Sequence, residues 1–366
     1  MVTQGVRPGP KNKQGDPGTF VYYCIFGRMN SVDIATIKSI LSKTQKIVIV
    51  PHRNPDGDAI GSTLALYGFL RAKGHQVQVI APNDHPKFLK WMPGNAEIVN
   101  FEWETQRAQR LLREATLIFT LDFNDLSRVG QMEEALRATA ADFIMIDHHQ
   151  QPGDYAKVAY SDPNMSSTCE MVYNFIESLG DDGAIDPEIA TNLYTGIMTD
   201  TGSFKYRSTS SRTHRVVAEL IDKGADNMDI HQRVYDTNSP NRIQLLGVAL
   251  SNLRILPQYR TAYITLSQEE LDAHDYKKGD TEGFVNYGLN IEDVVLALIF
   301  IENREEGIIK ISLRSTGDFS VNDFAREHFQ GGGHTNAAGG RSDLSLEGTV
   351  QRFEGLLESY KNQLNP

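Results

Sequence analysis

The sequence predicts an α/β fold: a mainly parallel sheet with helices on both faces, followed by a smaller mixed α/β domain. Three observations predict it. From Met29 onward, short β-branched runs alternate with stretches of helical spacing. Strands separated by helices imply a parallel sheet whose two faces both need cover. After about residue 224 the pattern loosens into Gly, Asn, Asp, Ser and Pro, and strand-like runs then resume.

Taken in order, residues 46–50 (KIVIV) fit a buried strand. A polar turn follows, then residues 59–73 carry Ile60, Leu64, Leu66 and Leu70 at helical spacing. Residues 76–81, 116–121 and 142–146 read as the second, third and fourth strands. Residues 168–179 and 187–198 read as helices, the second with proline in its first turn. Residues 225–256 read as a linker ending in a connecting helix over 243–256. Strands are then expected at 260–266, 294–301 and 308–313, and a closing helix at 346–364. The expected parts are an extension (1–28), a first domain (29–224), the linker, and a second domain (257–366).

Composition bounds the function. At 366 residues, 40% hydrophobic and 23% charged, the chain has ordinary globular composition. A net charge of −11 argues against coating long DNA or RNA, which needs a basic surface to neutralise many phosphates. A local basic pocket is compatible with that total. The two cysteines, Cys24 and Cys169, build neither a disulfide framework nor a thiolate metal site, so a reducing, cytoplasmic setting is expected. No apolar run approaches the roughly 18 residues that span a bilayer, so no membrane partner is expected. Residues 20–26 (FVYYCIF) are short for a signal-peptide core and lack a small-residue cleavage site. Residues 1–28, rich in Gly, Pro and polar groups, read as a loosely ordered extension upstream of a second start at Met29.

The chemistry lies at strand ends. The first strand runs into PHRNPDGDAIGS (51–62), the third ends in TLDFND (120–125) and the fourth in MIDHHQ (145–150). Ligands of open parallel sheets bind beyond the carboxyl ends of the strands. One edge therefore receives His52, Asp56, Asp58, Asp122, Asp147, His148 and His149, with Asp200 at the end of a helix as a further acid. Taken singly, each fits a turn, a helix cap or a solvated pair. Together, so many carboxylates repel strongly unless cations neutralise them. Carboxylates with imidazoles and no thiolate favour Mn²⁺ or Mg²⁺, and the mixed N/O set suits Mn²⁺. A carboxylate can bridge two ions about 3.5–4 Å apart, the spacing of two-metal hydrolytic sites. A second constellation follows: Arg314 on a strand (ISLRS, 311–315), then GGGHTNAAGG (331–340). The glycines allow close backbone approach to a phosphate or base, and Arg314 offers a two-pronged phosphate contact.

These residues together resemble the DHH phosphoesterase superfamily, named for the Asp147-His148-His149 triplet. The likeness runs from Met29 to the closing helix, with the N-terminal motifs in family order and the RS and GGGH motifs of the DHH-associated C-terminal domain. It implies one metal on His52, Asp56 and a bridging Asp122, and a second on Asp58, Asp122, His148 and Asp200. It implies a supporting Asp147 and a His149 that contacts the substrate phosphate. Arg314, Ser315, Asn322, Gly331, Gly332, Gly333 and His334 would hold the nucleotide. The implied cofactor is a pair of Mn²⁺ ions per chain, with Mg²⁺ as the alternative, and a homodimer is compatible with the family. Chain architecture is similar to the branch of oligoribonucleases (nanoRNases) that also dephosphorylate 3′-phosphoadenosine 5′-phosphate (pAp). The implied partners are short oligonucleotides or small nucleotides. Rival expectations are a cyclic-dinucleotide phosphodiesterase, an inorganic pyrophosphatase or exopolyphosphatase-like enzyme, and, against the intact carboxylate set, a non-catalytic nucleotide-binding protein.

Overall fold

In the computed structural model, which describes residues 29–365, the KIVIV run forms β1 (Lys46–Pro51). The extension expected over residues 1–28 lies outside the described residues. β1 joins β2 (Gln76–Ala81), β3 (Ile98–Asn100), β4 (Leu117–Leu121), β5 (Asp142–Asp147) and β6 (Val158–Ser161) in a parallel sheet ordered β3-β2-β1-β4-β5-β6. Both faces are covered, as the buried runs required. Ile47 and Ile49 pack into one core with the helices Gly57–Ala72, Thr168–Leu179 and Pro187–Asp200. Val48 and Val50 alternate into a second core beneath Thr105–Glu114 and Glu133–Arg137. β3 and β6 were not expected; at three and four residues they are too short to show a period.

Register delivers the site. Pro51 pairs with Leu121 and Leu121 with Ile146, so His52, Asp122 and Asp147 leave the sheet side by side. The strand order reverses between β1 and β4, the crevice where α/β sheets bind ligands. The Pro187–Asp200 helix approaches two others closely at Gly196, where a Cβ would lie 3.0 Å from Asp58 Oδ1 of the Gly57–Ala72 helix and 2.1 Å from Cys169 Sγ of the Thr168–Leu179 helix. That contact brings Asp200, one turn later, to the same edge.

The second sheet comprises β7 (Arg254–Leu256), β8 (Thr261–Leu266), β9 (Leu296–Asn303), β10 (Ile308–Ser315), β11 (Gly332–His334) and β12 (Ala337–Ser342), ordered β11-β12-β10-β9-β8-β7. Only β8 and β9 run parallel; the other neighbours are antiparallel. The helices Val321–His328 and Leu346–Leu364 cover one face, and Leu245 and Ala249 of Pro240–Ser251 pack into the other.

Two expectations change. The loosened stretch contains a helix, Asn227–Tyr235, capped by Asp226 and anchored by Ile230 in the first core. Its polar residues mark caps, not an open loop. The connecting helix starts earlier than expected, at Pro240 behind its Ser239 cap, and residues 254–256 are strand. The glycine run is a β-hairpin, with Gly332 opposite Gly339 and His334 opposite Ala337.

Candidate active site

Asp56 caps the Gly57–Ala72 helix through Oδ1, which accepts from the amides of Asp58 and Ala59, both at 3.1 Å. Its other oxygen lies 3.9 Å from His52 Nε2. Cap and metal-facing group are therefore one residue. His52 Nδ1 sits 2.9 Å from the Arg53 carbonyl, which fixes the proton on that nitrogen and leaves Nε2 as the lone pair. His52 Nε2 is 3.4 Å from Asp122 Oδ2. Across Asp122, His148 Nε2 lies 3.4 Å from Oδ1, 3.5 Å from Asp200 Oδ2 and 3.7 Å from Asp58 Oδ2. Its Nδ1 faces the Met165 carbonyl at 3.2 Å.

These separations are long for hydrogen bonds. They suit donors that share an ion, since ligands about 2.0–2.2 Å from a cation stand roughly 3–3.5 Å apart. His52, Asp56 and Asp122 form one such group and Asp58, His148 and Asp200 another. The residues fit divalent cations on a second count: each imidazole presents Nε2 with Nδ1 already engaged. Asp122 itself adopts a left-handed backbone, φ 65°, which costs a non-glycine residue about 1–3 kcal/mol and collects at functional sites. Asn54 does likewise at φ 56°, held by reciprocal bonds with Asn83 at 2.7 and 2.8 Å.

Sequence reasoning missed Thr168. The first amides of its helix cradle Asp58: Thr168 N donates to Oδ2 at 2.6 Å and Cys169 N to Oδ1 at 2.8 Å. The Thr168 hydroxyl donates to Asp122 Oδ1 at 2.9 Å. Ser167 and Glu170 signal a helix start in the sequence, but only the fold reveals which carboxylates dock there.

Electrostatics follow from burial without counter-charge. Burial, then the charges of Asp122 and Asp200, push the Asp58 carboxyl well above the usual carboxylate range. Burial leads in raising Asp200 to about 6. Burial would raise Asp122 too, but contacts with His148 and His52 overrule it and hold its carboxyl well below the usual range. Burial opposes charge on His148, yet Asp122 and Asp200 lift it well above an ordinary imidazole. Cations would relieve this competition for protons.

The facing wall is built from histidines and the glycine hairpin. His149 Nδ1 meets Asp147 Oδ1 at 2.8 Å, while the other Asp147 oxygen is buried without a partner. The His149 ring stacks on His334, with centroids 4.5 Å apart and planes at 28°, and His334 lies 4.6 Å from the His148 ring. Burial, then the charges of His148 and His149, hold His334 well below the usual imidazole range. Asn322 Oδ1 accepts from Gly333 N at 2.9 Å, and its Nδ2 donates to Gln150 at 3.3 Å, tying the hairpin to the segment after His149. Arg314 Nη1 donates to the Leu313 carbonyl, while its buried Nε has no partner. Ser315 is buried, and its hydroxyl donates to Phe319 O at 2.7 Å and accepts from Asn336 Nδ2 at 2.9 Å. It braces the hairpin, and its hydrogen bonds are spent internally.

Residues 46–197 match the DHH family, N-terminal domain, and residues 258–365 match the DHHA1 domain. The chain is 33% identical over 320 residues to the bifunctional oligoribonuclease and PAP phosphatase NrnA of Thermus thermophilus, covering 87% of this chain and 90% of that protein. It is 27% identical to the cyclic-di-AMP phosphodiesterase GdpP of Bacillus subtilis over 88% of this chain, but over only 49% of that protein. The crystal structure of an exopolyphosphatase-related protein from Bacteroides fragilis superposes with a TM-score of 0.88 at 43% identity, over 92% of this chain and 98% of that one. Among the described residues, no helix is long and apolar enough to cross a membrane. With both domain matches in sequence order and the two donor sets meeting on Asp122, the chain belongs to the DHH family of metal-dependent phosphoesterases.

Proposed function

We propose that this chain hydrolyses short oligonucleotides and removes the 3′-phosphate of pAp, using two Mn²⁺ ions. The observation that carries the reading is the meeting of two donor sets on Asp122, opposite a wall built from His149, His334 and Arg314. In this reading residues 29–224 hold the metals, residues 257–366 hold the substrate, and residues 225–256 join them. His52, Asp56 and Asp122 would hold one ion; Asp58, Asp122, His148 and Asp200 would hold the other. Bound there, two divalent cations lower the pKa of a shared water and offset charge on phosphoryl oxygens during in-line displacement.

The protein's own groups do the rest. Asp147 fixes the His149 ring, so the imidazolium form donates a proton or hydrogen bond from Nε2 to the phosphate or its leaving oxygen. The unpartnered Arg314 Nε supplies a donor to a terminal phosphate. Stacking of His334 on His149 closes the space against bulk water. The names of the NrnA relatives support this substrate class. The GdpP likeness makes cyclic dinucleotides the comparison substrate.

A product-resolved assay tests the reading with Mn²⁺ on pAp, cyclic dinucleotides, pyrophosphate, and oligonucleotides from two to about twenty residues, at two salt concentrations. We expect kcat/KM to be highest for pAp and for about two to five nucleotides, and to fall steeply by about twenty with weak salt dependence. Efficiency that is level or rising with length, or confined to pyrophosphate, would overturn it.

A further inference from the structure

Several arginines of this acidic chain hold carboxylates, as Arg212, Arg233 and Arg304 do. Arg326, Arg341 and Arg352 do not. Among the described residues none of the three has an ion-pair partner, and all three line one surface cavity of about 270 Å³ beside the end of the Val321–His328 helix. Each is held by neutral groups. Arg326 Nε donates to Asn322 at 3.1 Å and Arg341 Nε to Gln330 at 3.2 Å. The Arg352 guanidinium lies 5.7 Å from the centre of the Phe329 ring. The acids in the same cavity are engaged by neutral donors: Gln330 donates to Asp343 at 3.3 Å, and the Tyr360 hydroxyl to Glu327 at 3.0 Å. The cavity is thus ringed by oriented guanidinium groups whose outer N–H donors lack an anion.

We infer that this cavity is a second anion subsite, taking a phosphate carried on a ribose. Guanidinium forks match phosphate oxygens in pairs. The volume is below the roughly 300–1,000 Å³ of sites for drug-sized ligands, and suits a sugar phosphate better than a whole dinucleotide. One residue connects the cavity with the segment that follows His149. Arg326 lines the cavity and reaches back to Gln151, two residues after His149, at 3.0 Å. Its anchor Asn322 is the residue that holds the glycine hairpin. A strand whose end lies in the cleft would pass Arg326 and seat its trailing phosphate here. A free sugar phosphate offers the same chemistry. The trailing-phosphate source rests on the proposed oligonucleotide substrate; the anion site does not.

The test is the double variant Arg341→Ala/Arg352→Ala in the full chain, with Arg341→Lys/Arg352→Lys as the charge-preserving control. KM and kcat are measured with Mn²⁺ for pAp, a dinucleotide and a pentanucleotide, and ribose 5-phosphate is titrated calorimetrically. For a trailing phosphate, the alanine variant should raise the pentanucleotide KM about tenfold, a loss of about 1.4 kcal/mol. The pAp and dinucleotide values should stay put, and the lysine variant should recover most of the loss. Loss of one ribose 5-phosphate site with every KM unchanged assigns the cavity to a free sugar phosphate. An equal rise in KM at every length, or no change in any KM or in the titration, overturns the inference. Should the wild type turn over none of these substrates, the proposed function fails while the titration still decides the cavity.

Discussion

The hydroxyl of Thr168 donates to Asp122 Oδ1 at 2.9 Å, and it is fixed there by its own amide on Asp58 Oδ2 at 2.6 Å. One residue thereby sets the separation of Asp58 from the carboxylate proposed to be shared by both ions. Thr168→Val keeps the β-branched shape and both amides and removes only the hydroxyl. We predict a fall of about 10–100-fold in Mn²⁺ affinity or kcat, with Thr168→Ser retaining most of both. Mn²⁺ titration of metal-free protein beside steady-state kinetics checks it, and wild-type values for the valine variant would refute it.

Asp122 should be indispensable for metal loading. Asp122→Asn is the informative change, because asparagine tolerates the left-handed backbone that Asp122 adopts at φ 65°. We expect a folded protein with nearly all turnover lost and less metal bound per chain. Elemental analysis of the purified variant decides, and full metal content would remove Asp122 from the shared position.

The metal-free protein should lose stability as pH rises. Asp58 titrates well above its ordinary 3.8 and Asp200 at about 6, so folding favours their protonated forms. Stability from a raised pKa is fully present below the unfolded value and is lost as pH climbs through the folded one. His148 and His52, raised above 6.5, act in the same direction at higher pH. Asp122, depressed below 3.8, contributes the opposite slope only in stronger acid. Melting temperature with chelator should therefore fall between about pH 4 and pH 8, and added Mn²⁺ should reverse the loss at the upper end. A flat or rising profile with chelator would contradict this account.

Adjacent glycines should differ sharply. A Cβ at Gly331 would lie 2.0 Å from the Gly339 carbonyl oxygen, whereas at Gly332 nothing is nearer than 3.6 Å. Gly331→Ala should distort the hairpin, lowering the melting temperature and raising KM, while Gly332→Ala should leave stability near wild type. Thermal melts of the pair are enough, and equal melting temperatures would argue against the packing described.

Arg314→Ala should raise KM strongly while bound metal stays unchanged, because its unpartnered Nε lies in the second unit and outside the donor clusters. Loss of Mn²⁺ from this variant would require the site to be redrawn.

Much of the site was legible in the sequence because a buried parallel strand is a compact signal. Three apolar runs each end in acids or histidines, and the sheet rule sends those ends to one edge. Asp200 was legible as a helix end. Thr168 was not, because threonine is an ordinary helix-start residue and its carboxylate partners lie 46 and 110 positions away. The stacking of His334 on His149 was also hidden, since it depends on how the two sheets meet. The internal bonding of Ser315 was not legible, because proximity to Arg314 in sequence says nothing of direction: neighbours on a strand face opposite ways. The helix Asn227–Tyr235 escaped because its caps resemble loop composition.

The order of the elements gives protein synthesis a direction in which the site matures. The acidic edge is complete once Asp200 has been made, whereas the hairpin bearing His334 comes near the end of the chain, just before the last helix. In chain order, therefore, the residues of the two groups beside Asp122 all precede the histidine that stacks on His149.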